Sequence, residues 1–200
     1  MVDTNNKGNK GNFERSTGFL RSNGNCRNMY FYRKSVVIYD LTFYFANKYL
    51  NKKDRTVDQM IQAARSGKQN FVEGMADGVT SFEMQIKLLN VGKSSLLELK
   101  EDYEDYLRTR NLNLWTETFP RYVKMVEYCK VHNDLVDYQG YFEKWNDEEI
   151  ANVALTLIHQ TDRMLQSFLL SLEKQFIEQG GIREAMYKAR IWTASSLRNL

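Results

Sequence analysis

The stretch from Asp54 to Arg110, DRTVDQMIQAARSGKQNFVEGMADGVTSFEMQIKLLNVGKSSLLELKEDYEDYLRTR, restricts this chain to a helical hairpin before any other feature is weighed. Thr56 with Gln59 three residues on, and Thr80 with Glu83 three on, have the spacing of capping boxes. In such a box the hydroxyl accepts from the third helical amide, while the longer side chain reaches back to the cap's own amide. Two helix starts are therefore expected at Thr56 and Thr80. Between the helices, Gly74 and Gly78 bracket a short MAD segment. Glycine can take the left-handed backbone that ends a helix.

The rest of the chain repeats the helical period. Pro120 is the one proline in 200 residues, and so few breakers argue for an all-α protein of long helices and short connections. At 42% hydrophobic residues the chain can build one real core. A first helix is predicted from about Tyr30 to Leu50, with Val37, Ile38, Leu41, Tyr44, Phe45 and Tyr49 on a wide apolar face. In the second, Met60, Ala64, Gly67 and Phe71 are spaced by threes and fours, and Ala63, Ala64, Ser66 and Gly67 read as a seam for close helix contact. Phe82, Ile86, Leu89, Gly92, Leu96, Leu99, Tyr103 and Tyr106 give the third helix the period of a left-handed bundle. Leu88, Val91 and Leu97 broaden its apolar arc enough to suggest contact with a second subunit. Pro120 should open a short helix over about Arg121 to Asn133. Asn146, with Glu149 three on, should cap a last long helix from Asp147 to Gln179, stopped by Gly180 and Gly181. Three parts follow: a disordered basic tail over 1–28, a bundle over 29–179, and an amphipathic C-terminal helix within 180–200.

Charge is unevenly spread. Residues 1–34 hold seven Lys or Arg against Asp3 and Glu14, a local +5, whereas residues 101–150 hold six basic against twelve acidic residues, a local −6. Such asymmetry suits a polyanion-binding end, attraction between subunits, or simply solvated faces. No apolar run approaches the ~20 residues that span a bilayer, and the first residues lack the apolar stretch of a secretory signal. A soluble cytoplasmic protein with no membrane partner is expected. Cys26 and Cys129 make no disulfide framework.

QMIQAARSGKQNFVEG, followed by TSFEMQIKLLNVGKSSLLELKEDYEDYL, resembles the bacterial four-helix-bundle family. That family includes proteins encoded by intervening sequences in large-subunit ribosomal RNA genes. It is similar in fold to the accessory protein of diversity-generating retroelements. The resemblance covers roughly Tyr32 to Gln179, is clearest at Asn70-x-x-Glu73-Gly74 and Leu96 to Leu99, and GGIREAMYKARI resembles a C-terminal suffix that some members have. It implies an up-and-down four-helix bundle, here with a short extra helix and an appended C-terminal helix. It further implies a homo-oligomeric ring, commonly a pentamer, with no enzymatic activity. RNA or DNA and a partner such as a reverse transcriptase are implied contacts. Two departures are the weakly positive net charge of +3 and the acidic insertion before the last helix.

Other chemistry is not indicated. Neither His132 nor His159 has the Glu three residues before it that a di-iron bundle needs, and Cys129 with His132 supplies only half a zinc site. Glu101, Asp102, Glu104 and Asp105 have no nucleophile or base beside them, and pairing with Lys100 or Arg108 is expected. No catalytic residue, cofactor or metal is called for. The remaining candidates are basic: Arg55, Arg65, Lys68, Lys93 and Lys100 could contact phosphates, or form ion pairs with Asp58, Glu73 or Glu98. Aromatics at helical spacing read as core rather than base-stacking platforms. Two functions stay open: a nucleic-acid-binding accessory factor, or a protein-interaction scaffold that binds no nucleic acid.

Overall fold

In the computed structural model, residues 25–78 and 81–179 are described, together with Tyr187 and Ile191. The described chain is all-helical, with α1 (Tyr30–Tyr49), α2 (Arg55–Asp77), α3 (Phe82–Thr109), α4 (Pro120–Val131) and α5 (Asp147–Gln179) packed against one another. Several boundaries have a local cause, because the first amides and last carbonyls of a helix lack partners within it. α2 is capped by Asp54, whose carboxylate accepts from the Thr56 amide at 3.0 Å; Thr56, expected as the cap, lies inside the first turn. A carboxylate satisfies the amide and also favours the positive end of the helix dipole. α3 is capped by Ser81, which accepts from the Met84 amide at 3.1 Å with Glu83 in the first turn. Thr80, the expected cap, lies outside the described residues. α5 has the predicted box: the Glu149 amide donates to Asn146 Oδ1 at 2.8 Å and the Asn146 amide to Glu149 Oε2 at 3.1 Å. Pro120 opens α4 as its first residue. α3 ends where Asn111 turns left-handed at φ 53°, with Leu112 N–H bonded to the Leu107 carbonyl at 2.9 Å. Asparagine tolerates that conformation better than most residues.

The predicted seam is where α2 meets α3. A Cβ on Gly67 would lie 2.8 Å from Leu96 Cδ2, and one on Gly92 would lie 2.7 Å from Phe71 Cε1 and 3.0 Å from the Gly67 carbonyl oxygen. The two backbones approach as closely as they do because neither position has a side chain. Ala63 and Ala64 are buried beside them, and the Ser66 and Ser95 hydroxyls bond at 2.9 Å. Gly74 and Gly78 do not take the left-handed backbone. Gly74 sits within α2, and Gly78 has φ −57°, with the Gln85 side chain where its Cβ would be. They are small for packing, not for turning.

α1 packs on α2 and α5, α3 on the same two helices, and α4 on α5. The core between them includes Val37, Ile38, Leu41, Phe45, Met60, Phe71, Leu89, Leu99, Tyr103, Ile150, Leu157 and Leu165. Burial of each large apolar side chain contributes about 1.5–3 kcal/mol. Of the expected faces, Tyr44, Tyr49 and Ile86 are half-buried; on α5 Met164 and Phe168 are half-buried too, and Phe176 is exposed although it stands edge-on to Phe82. Of the tail, residues 1–24 lie outside the described residues; Cys26–Asn28 form a 3-10 turn, and the Cys26 thiol donates to the Phe71 carbonyl at 3.6 Å. Of the C-terminal suffix only Tyr187 and Ile191 are described, both helical and exposed.

α4 ends on a residue from the other end of the chain. Lys34 of α1 is fully buried, and its ammonium donates to the carbonyl oxygens of Cys129 and His132, the latter at 3.1 Å. The Tyr138 hydroxyl donates to the same His132 carbonyl at 2.9 Å. A cation there meets both the orphan carbonyls and the negative end of the helix dipole. Burial lowers the lysine to about 8, a shift that nearby Cys129 and Asp137 oppose.

Two outcomes follow from this packing. In urea titration Gly92→Ala should lower stability by about 1–3 kcal/mol, against a change within ~0.5 kcal/mol for exposed Lys87→Ala. Between pH 8 and the ~10.4 of free lysine, the unfolded chain holds a proton that the folded chain has released, so this residue's contribution rises with pH through that window. The stability of the wild type relative to Lys34→Met should therefore grow from pH 8 to 10. A difference flat with pH would show that no buried ammonium titrates there.

Candidate nucleic-acid interface

The five cations singled out by sequence do not form one surface. Lys93 faces α5, its Nζ 3.3 Å from Asp162 Oδ1 in an ion contact without hydrogen-bond alignment. Lys100 is held by Glu104 at 2.8 Å and Glu101 at 3.4 Å, and Arg108 by Asp105 at 2.7 Å. The acidic cluster of α3 is thus partly neutralised along its own helix, as its spacing suggested. Lys68 lies over the Tyr39 ring at 3.9 Å, facing α1. Arg65 is exposed and has no ion pair among the described residues. Arg55 is exposed at the start of α2.

Around Arg55 the structure gathers cations that sequence spacing separates. α2 and α3 register against each other through Gly67 with Gly92 and Gly74 with Gln85. The turn before α2 therefore lies beside the end of α3. Leu50, Asp54 and Thr56 line one small cavity with Asp105, Thr109 and Arg110, and Arg110 helps hold the Asp54 carboxyl below its usual range, after the bonds from Thr56. This pole of the molecule exposes Lys48, Lys52, Lys53, Arg55, Arg108 and Arg110, against Asp54 and Asp105, the latter paired with Arg108, and half-buried Asp102 lines the same cavity. Asp147, at the start of α5, accepts the Tyr106 hydroxyl at 2.9 Å.

Tyrosine rings hold two of these cations. The Arg110 guanidinium stacks 3.9 Å from the Tyr106 centroid. Lys48 donates to the Tyr44 hydroxyl at 2.6 Å and lies 4.9 and 5.1 Å from the Tyr44 and Tyr49 centroids. Such contacts are worth roughly 0.5–1 kcal/mol at exposed sites. That is enough to favour an orientation, and it leaves the charge uncancelled. Each group could still bond a phosphate, arginine through its fork and lysine as a point charge.

The groove running from Arg55 between α2 and α3 has the opposite character. About 640 Å³ in volume, it is lined by Asp58, Glu98 and Asp102 with Gln59, Gln62, Ser66 and Ser95. Burial, with Asp105 and Glu98 nearby, raises the Asp102 carboxyl. Three carboxylates against one arginine repel a polyanion, so the phosphate-favourable surface stops at the pole. Elsewhere the half zinc site has other uses. The Cys129 thiol is buried and raised by desolvation, and His132 stacks on Tyr128 at 3.9 Å between centroids. No group of three or more potential metal ligands occurs among the described residues. None of the described helices is long and apolar enough to cross a membrane.

Against protein-family models, curated proteins and solved structures, the chain has no match. The functional reading therefore rests on the site's own geometry. One consequence concerns stability alone. Lys93→Ala leaves half-buried Asp162 without its counter-charge and should cost about 0.5–1 kcal/mol, whereas Lys53→Ala removes an exposed charge and should not shift the melting temperature measurably.

Proposed function

We propose that this chain is a non-enzymatic, oligomeric helical-bundle protein that binds nucleic acid through its cationic pole. One observation carries the reading: Lys48, Lys52, Lys53, Arg55, Arg108 and Arg110 converge from three helix ends, with tyrosines beneath two of them. Convergence of this kind favours a phosphate backbone without specifying a base sequence. The scaffold in this reading is an up-and-down four-helix bundle of α1, α2, α3 and α5. Support comes from the neighbours each helix takes, and from ties whose residue numbers run in opposite directions, such as Lys93 with Asp162 and Tyr106 with Asp147. Repetition of the pole in each subunit of a ring, a pentamer by the resemblance, turns a modest local charge into a multivalent field. A reverse transcriptase is the partner that the resemblance implies.

A protein-interaction scaffold is the second reading, favoured by the apolar side chains Val72, Met84, Val91 and Leu97, each more than 40% exposed on α2 and α3. In either reading self-association or a partner would cover them. Light scattering on the purified chain should show a species of several subunits.

Retention of single-stranded RNA, single-stranded DNA and duplex DNA across a salt series tests the main reading. Replacing Lys52, Lys53 and Arg55 together with Ala should weaken binding for every sequence tried, and should flatten the logarithmic salt slope by about 0.7–0.9 for each phosphate no longer neutralised. No retention at low salt would overturn the reading and leave the scaffold.

A further inference from the structure

Beside the pole, the insertion between α3 and α5 builds a second, different cavity. It has a volume of about 310 Å³ and is lined by Trp115, Met125, Tyr128, Tyr141 and Trp145, with Arg121, Lys124 and Glu149 as its charged groups. Its aromatic walls are anchored from outside. Trp115 donates its ring N–H to Glu148 at 3.1 Å and its backbone N–H to Asn152 at 2.8 Å. Tyr128 donates its hydroxyl to the Asp137 carbonyl at 2.7 Å. Tyr141 stacks on Trp145 at 5.3 Å and 14°, and stands edge-on to Tyr128 at 6.3 Å. The polar edges of Trp115 and Tyr128 are thus already engaged. These two rings offer an occupant carbon surface in a fixed arrangement, which lowers the ordering cost of binding.

The charged groups decide what the occupant is. An aromatic cage with a free carboxylate would suit a quaternary ammonium. Glu149 is not free: one oxygen accepts from Arg121 at 2.5 Å, and the other from the Asn146 amide at 3.1 Å. Lys124 is exposed, and Arg121 retains donors that Glu149 does not use. Arg121 and Glu149 thus offset each other and Glu148 is engaged by Trp115, which leaves exposed Lys124 as the rim's charge without an ion pair among the described residues and tilts the rim toward an anion. A planar ring with an anionic group attached meets both features, and the volume lies at the small-ligand end of the usual range.

We propose that this cavity binds a nucleotide unit, its base stacked among Trp145, Tyr141 and Tyr128 and its phosphate on Lys124 and Arg121. The proposal rests on the nucleic-acid reading for its biological source, because the cavity adjoins the pole. The Tyr49 hydroxyl donates to the Trp145 carbonyl at 3.0 Å, and Lys48 lies on the Tyr49 ring. A single strand whose backbone follows the pole can place one unstacked base in the cavity. A duplex cannot do so without extruding a base.

Titrations of the full chain with AMP, a single-stranded hexanucleotide of adenosine, its duplex counterpart and choline, followed by tryptophan fluorescence, test this. The single strand should quench fluorescence and bind more tightly than the duplex. Lys124→Glu, an exposed change that spares the fold, and Trp145→Ala should each weaken it about tenfold or more. AMP binding with the same two losses also supports the cavity and identifies a free nucleotide as sufficient. AMP silent while the strand binds and loses affinity in both variants supports a subsite that works only within a strand. Strand binding unchanged in Lys124→Glu but abolished when Lys52, Lys53 and Arg55 are replaced overturns the cavity and leaves the pole intact. Choline binding in place of AMP and the strand overturns the assignment of the ligand, and no binding of any probe overturns cavity and pole together.

Discussion

The close crossing of α2 and α3 at Gly67 and Gly92 sets the position of nearly everything else. With no side chain at either position, the Gly92 site lies against Phe71 and the Gly67 carbonyl, and the seam has no room for a larger residue there. Interiors packed this densely tolerate little slippage. The register then determines which parts of the two helix ends are neighbours. The turn at 50–54 falls beside Thr109 and Arg110, and the cationic pole is the result. A slip of one helical turn would carry the α3 end about 5.4 Å away and split the cluster.

Much of this was legible in sequence, for identifiable reasons. The ends of α1 and the start of α5 follow from apolar spacing and the Asn146–Glu149 box, whose members must lie three residues apart to bond each other, whereas the expected stop at Gly180 and Gly181 lies outside the described residues. The seam of Ala63, Ala64 and Gly67 was legible because small residues at helical spacing have few other uses. The cap of α2 differs from the expected one because Thr56 and Gln59 have the box spacing, whereas Asp54, with Val57 three on, caps without a box: its carboxylate competes better for amides at the positive end of a helix. Gly74 and Gly78 suggested a left-handed turn, but the Gln85 and Leu88 side chains occupy the space a Cβ would need.

The candidate site was less legible, because its members come from separate turns. Lys52, Lys53 and Arg55 look like an ordinary solvated turn, and Arg108 and Arg110 like a frayed helix end. Only the hairpin register joins them. Lys93 and Lys100 share a face; the Lys100–Glu104 pair follows from helical spacing, but that face also meets Asp162 on α5, which spacing within one helix could not single out. The irregular segment after Arg110 has no helical period that would place its side chains. Trp115 is nevertheless buried there, because Asn152 and Glu148 on α5 take its two N–H groups.

Lys34 has a consequence for the order in which this molecule becomes complete. A helix of twelve residues such as α4 is marginal alone in water. Its last carbonyls are satisfied by an ammonium nearly a hundred positions away in the chain, so α4 acquires a proper end only after α1 has docked. Arg121 and Lys124 ride on that helix. The anion-attracting rim of the aromatic cavity is therefore assembled late, from a conditional element, and any opening that withdraws Lys34 would let α4 fray and dissolve the rim while the α2–α3 seam stayed closed.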